Sequence, residues 1–122
     1  MSDATELYNR GVEAFKAGDL DLAVESLEAA TQLDHQNYKA FNHLGAAYAA
    51  KDRFNAAIGA FKAAEQIAPD VASIHYNIAQ AYEASGVPAE AVYEYGRALE
   101  LKPDYPKAIE ALADLKKRLH RG

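Results

Sequence analysis

The chain has 122 residues, the size of one domain or a short repeat array and too few for two independent cores. Half of it is hydrophobic and a quarter charged, a globular balance that excludes dominant disorder. No run approaches the roughly 18 to 20 apolar residues needed to cross a bilayer, so no membrane insertion is expected, and the absence of cysteine excludes disulfides, thiolate metal sites and cysteine nucleophiles.

The net charge of −5 is unevenly laid out: −6 over residues 1–35, −2 over residues 36–101 and +3 over residues 102–122. An acidic chain repels a phosphate backbone, so nucleic acid is not expected as a partner. The polar, acidic start from Met1 to Glu6 does not resemble a secretory signal, and the expected location is the cytoplasm.

Seven helices are predicted in chain order. The first two cover residues 3–17 and 20–33, separated by Gly18-Asp19. The third, 38–51, carries Phe41, Leu44, Gly45 and Tyr48 at one-face spacing, and the fourth, 54–67, carries Ala57, Phe61 and Ala64 before Pro69. Lys51-Asp52-Arg53 between them lacks glycine, so that turn is inferred from register alone. The fifth, 72–85, ends at Ser85-Gly86-Val87; the sixth, 88–101, opens on Pro88 and stops before Pro103. Asp104-Tyr105-Pro106 reads as an N-cap and a first-turn proline opening the seventh, 106–120. No strand-length stretch alternates with period two, so the class is all-α.

The helices fall into a 34-residue repeat. Gly11, Gly45 and Ala79 are related by that shift, as are Ala23, Ala57 and Ala91; Leu27, Phe61 and Tyr95; Ala30, Ala64 and Ala98; and His35, Pro69 and Pro103. A period of this length signals stacked helical hairpins. The small residues would let paired helices approach closely, with Phe41, Tyr48, Phe61, Tyr82 and Tyr95 packing between them.

These residues resemble the tetratricopeptide repeat family, whose unit reads W-x2-L-G-x2-Y, A-x3-F and P. The second unit supplies Phe41, Leu44, Gly45, Tyr48, Ala57, Phe61 and Pro69; the third supplies His75, Ile78, Ala79, Tyr82, Ala91, Tyr95 and Pro103. The first departs at Arg10, Ala14 and His35, as a terminal unit can. The resemblance implies an α-α superhelix, a right-handed solenoid forming one domain over 1–122. Its repeats would lie near 4–37, 38–71 and 72–105, followed by a solvating helix near 106–120. In that helix Ile109, Leu112 and Ala113 are expected to continue the core register, with Lys116, Lys117 and Arg118 facing outward.

The sequence contains no phosphate-cradling glycine loop, no nucleophile elbow and no His-Glu-x-x-His pair among His35, His43, His75 and His120. Glu25–Glu28 and Glu90–Glu94 are read as solvated helix faces, not acid/base pairs. Neither catalysis, a cofactor nor a metal is expected. The resemblance implies instead a non-catalytic adaptor that takes a partner's peptide segment in a groove lined by the first helix of each unit. Register assigns to it Tyr8, Asn9 and Val12; Lys39, Asn42, His43 and Ala46; and Ser73, Tyr76, Asn77 and Gln80. Asn9, His43 and Asn77 occupy equivalent places and could hydrogen-bond a peptide backbone.

The family's clamp for heat-shock chaperone tails uses Lys, Asn, Asn, Lys and Arg. At those places this chain has Tyr8, Val12, His43, Ser73 and Asn77, so chaperone tails are disfavoured for want of permanent cations. The alternative role is a self-assembling array, a head-to-tail homo-oligomer joined through the acidic first unit and the basic last helix.

Overall fold

A computed structural model describes residues 3–121; Met1, Ser2 and Gly122, at the ends of the expected domain, lie outside the described residues. The described residues form seven helices and no strand: α1 (Ala4–Lys16), α2 (Leu20–Leu33), α3 (Tyr38–Ala50), α4 (Phe54–Ile67), α5 (Ala72–Ala84), α6 (Pro88–Leu101) and α7 (Pro106–Arg121). Each lies within a residue or so of its expected limits, because the punctuation is chemical. Asp3, Asp19 and Asn37 accept backbone N–H bonds from the first turns of α1, α2 and α3. Pro88 opens α6. At α7 the first helical bond runs from the Ile109 N–H to the Tyr105 carbonyl, so Tyr105 holds the cap position expected of Asp104.

The turns inside the hairpins show why glycine recurs there. Gly18 and Gly86 both have φ of 81°, a left-handed conformation that glycine adopts without strain. The equivalent position in the middle hairpin is Asp52, the non-glycine residue at φ 60°. An aspartate tolerates this region better than most side chains, but at a cost.

The chain divides into two compact units, residues 1–69 and 70–122. In the first, α1 pairs with α2, α3 pairs with α4, and α2 packs on α3. Its buried cluster contains Ala14, Ala23, Val24, Leu27, Leu44, Ala47 and Ala60, flanked by Tyr8, Phe15 and Tyr48. In the second, α5 pairs with α6 and α7 packs against α6. Its cluster contains Ala79, Ala91, Tyr95 and Leu115, flanked by Tyr76, Tyr82, Ala111 and Leu112. Phe61 and Tyr95 are fully buried, as the packing role requires, whereas Phe41, Tyr48 and Tyr82 are half-buried.

The small residues set the helix spacing. A Cβ added to Gly11 would stand 2.5 Å from Leu27 Cγ, and one added to Gly45 would stand 2.5 Å from two Phe61 ring carbons. In α7 the core register differs from the expected one. Ala108 and Leu115 are buried, with Ala111 and Leu112 beside them, while Ile109 is 48% exposed and Ala113 is exposed. Arg118 does not simply face outward, because it pairs with Glu83 of α5.

Polar ties also cross between helices. Tyr48 donates its hydroxyl to Glu28, and Lys51 pairs with Asp21, joining α3 and its C-terminal turn to α2. Tyr95 donates to Glu83 Oε1 at 2.8 Å, so Tyr95, Glu83 and Arg118 link α6, α5 and α7. Glu94 corrects the expectation of a solvated face: it is buried and its Oε1 lies 2.9 Å from His75 Nδ1. A buried carboxylate is tolerable only with such a partner. Burial and the Glu28 bond push the Tyr48 phenol up to about 12, and burial followed by the Glu83 bond raises that of Tyr95.

Gly45→Val should lose about 1–3 kcal/mol through overpacking against Phe61, whereas Gly59→Ala should gain about 0.5–1 kcal/mol, because no atom lies within 4 Å of the added Cβ; urea denaturation compares both with wild type. Asp52→Gly should raise stability by about 0.5–1 kcal/mol in the same assay by relieving the left-handed aspartate. The folded state favours neutral phenols at positions 48 and 95, so their contribution is complete below about pH 10, where unfolded tyrosine ionises. It declines above that pH, and the share from Tyr48 is lost on passing about 12. Urea melts across this range should show the decline, and Tyr48→Phe should reduce it.

Candidate functional site

The groove residues expected from the sequence lie on α1 and α3 in the first compact unit and on α5 in the second. In the first unit, Tyr8 and Val12 of α1 are half-buried and Asn9 is exposed. On α3, Asn42, His43 and Ala46 are half-buried and Lys39 is exposed. Tyr8 and His43 are brought together, their rings edge to face with centroids 5.8 Å apart, and Phe15 meets the same imidazole at 6.5 Å. His43 Nδ1 lies 2.9 Å from the Lys39 carbonyl oxygen. A carbonyl only accepts, so Nδ1 carries the proton and is occupied within the helix. In the neutral ring Nε2 remains as an acceptor, so His43 presents different chemistry from Asn9 and Asn77, with which it shares register.

In the second unit, Ser73, Tyr76 and Asn77 are half-buried and Gln80 is exposed on α5. Tyr76 is the centre of an aromatic group, its ring 5.8 Å from Tyr95 and 5.3 Å from Tyr105. The Gln80 amide donates to the Tyr76 hydroxyl at 2.9 Å. Burial raises the pKa of Tyr76, opposed by the Gln80 bond and reinforced by the negative fields of Glu110 and Glu83. Burial likewise raises Tyr105, and Lys102 Nζ sits 5.0 Å from the centre of that ring.

Tyr76, Asn77 and Gln80 line an open groove of about 580 Å³ whose other wall is α7, through Lys107, Glu110, Ala111 and Asp114. Ser73 is not among its lining residues. A smaller hollow of about 350 Å³ shares Gln80 and includes Glu83, Ala84, Tyr95 and Arg118. The α7 wall was missed by reading the last helix as a cap only. Carrying the 34-residue shift one step further finds it, since Lys107, Glu110, Ala111 and Asp114 stand in register with Ser73, Tyr76, Asn77 and Gln80. Tyr105 carries no such signal, because it precedes the helix and is turned toward Tyr76 by the chain's entry into α7. This arrangement offers a half-buried aromatic floor, amide groups and charged walls in an open trough. Such a surface suits an extended or helical polypeptide.

The tetratricopeptide repeat pattern matches residues 8–72, 53–106 and 75–119. Superkiller complex protein 3 of Mus musculus is 29% identical over 105 residues, a match that covers 86% of this chain and 7% of that protein; the Homo sapiens protein gives the same figures. The chain therefore spans only a small fraction of the curated relatives it matches. Among solved structures, the first tetratricopeptide domain of Spaghetti (RPAP3) bound to the HSP90 peptide SRMEEVD superposes with a TM-score of 0.92 at 24% identity, covering 97% of this chain and 94% of that one. MamA superposes at 0.93 with 24% identity, covering 96% of this chain and 68% of that one. These likenesses fix the fold. Tetratricopeptide domains are generally non-catalytic protein–protein interaction modules. With the repeat pattern matched along nearly its whole length and seven helices in the expected order, this chain belongs to the tetratricopeptide repeat family.

Proposed function

We propose that this chain is a non-catalytic adaptor that holds a peptide segment of a partner protein on the inner helix faces of its units. The observation that carries the reading is the α5/α7 groove. Its two walls use the same register places, and its floor is a half-buried tyrosine held by other tyrosines. A ring already fixed by packing loses little conformational entropy when it meets a ligand, which favours its use as a docking anchor. In the first unit Tyr8, Asn9, Val12, Lys39, Asn42, His43 and Ala46 form the corresponding surface. Tyr8 and His43 make the aromatic contact there.

The RPAP3 domain holds an acidic chaperone peptide, but the same ligand is disfavoured here. The five clamp places hold Tyr8, Val12, His43, Ser73 and Asn77, none of which supplies a permanent positive charge. A carboxylate withdrawn from water requires charged or strongly donating partners. Docking of an uncharged or basic segment is the better fit. Nucleic acid is disfavoured by the net charge of −5.

Affinity capture from a lysate with wild-type protein, beside a Tyr76→Ala/Gln80→Ala variant and a Tyr93→Ala control on α6, tests the reading. Circular dichroism and thermal melting first establish that each variant is folded. Proteins retained by wild type and the control should be lost from the groove variant. Equal capture by all three would remove the groove as the docking site.

A further inference from the structure

The charges on the α5/α7 groove are not balanced. Glu110 and Asp114 line it against the single cation Lys107. In the adjoining hollow, Glu83 is already matched by Arg118, while Tyr95 donates to the same carboxylate. Asp114 lies one turn from Arg118 and acts on it as well, just as Lys107 lies one turn from Glu110, so of the two groove carboxylates Glu110 is distinguished by what it reaches across the groove. Its field reaches Tyr76, the half-buried ring that forms the floor. The aromatic group also shows that it can hold a cation, for Lys102 Nζ lies 5.0 Å from the centre of the Tyr105 ring, next to Tyr76.

Resting on the adaptor reading, we propose that the α5/α7 groove selects a partner segment carrying an arginine, whose guanidinium lies against Tyr76 and forks onto Glu110. The chemistry matches on three counts. A planar guanidinium stacks on a tyrosine face, is weakly hydrated for a cation, and presents paired N–H donors to a carboxylate. Its aliphatic stem can rest on Ala111, which lines the same wall. Lysine satisfies the charge but not the fork, and an acidic side chain meets repulsion from Glu110 and Asp114. The Gln80 amide, fixed by its bond to the Tyr76 hydroxyl, keeps a carbonyl oxygen available as a further acceptor.

The test uses three dye-labelled peptides, Gly-Ser-Leu-Xaa-Leu-Ser-Gly, with arginine, its uncharged isostere citrulline, or glutamate at the central place. Binding is followed by amide chemical-shift titration of the whole chain at low salt. The arginine peptide should bind about tenfold or more tightly than the citrulline peptide, shifting resonances of α5 and α7, and the glutamate peptide should bind least. Glu110→Gln should abolish the preference for arginine over citrulline without altering the unliganded spectrum beyond its neighbours. Equal binding of arginine and citrulline peptides at α5 and α7 would overturn arginine selection while leaving the docking groove in place. Shifts confined to the acidic α1 and α2, or no shift with any peptide, would overturn selection. In either case capture with the Tyr76→Ala/Gln80→Ala variant judges the docking reading separately.

Discussion

The structure depends on how closely the two helices of each hairpin approach. At Gly11 and Gly45 the facing side chains, Leu27 and Phe61, occupy the space where a Cβ would be. In the second unit Ala79, with no exposed surface, shares a buried cluster with Tyr95. A small residue on one helix and a large one on its partner form a knob and a socket. This fixes the distance and rotation of the pair, and hence which residues of the first helix face away from the second. The groove residues are those left on that outward face. Their positions follow from packing; only their identities are free to serve recognition.

That separation explains why the fold and the site carry different chemistry. The buried positions repeat as alanine, glycine, leucine and aromatic residues. The outward positions change from Lys39, Asn42, His43 and Ala46 to Ser73, Tyr76, Asn77 and Gln80, and then to Lys107, Glu110, Ala111 and Asp114. Repetition of the frame with variation of the lining is how a repeat protein acquires a particular ligand without changing its architecture. In the second unit the lining is an aromatic floor, amide groups on α5 and a net-acidic wall on α7, beside the Tyr95–Glu83–Arg118 link.

Much of this was legible in the sequence because it is local. Helix limits follow from caps, prolines and glycines, and the 34-residue shift marks the close approaches. What was illegible depended on contacts between distant residues. Glu94 looks solvated beside Glu90, and only the packing of α5 on α6 brings His75 to it across 19 positions. The α7 register was misjudged because a helix rich in lysine and arginine offers several plausible apolar stripes. The repeat shift resolves it, placing Ala108 and Leu115 in register with the buried Ile74 and Ala81. Asp52 was legible only as a turn, since nothing in Lys51-Asp52-Arg53 announces the left-handed conformation that Gly18 and Gly86 reveal by their identity.

The central claim is that a partner polypeptide is received on the inner face of α5 and α7. Hydroxyl-radical footprinting of the chain with a captured partner tests it most directly, because tyrosines mark both sides of the second unit. Tyr76 and Tyr105 belong to the groove's aromatic group, whereas Tyr93 on α6 is 64% exposed and stands apart from that group. The account requires Tyr76 and Tyr105 to lose reactivity on binding while Tyr93 keeps it. Protection of Tyr93 with unchanged Tyr76 and Tyr105 would contradict it.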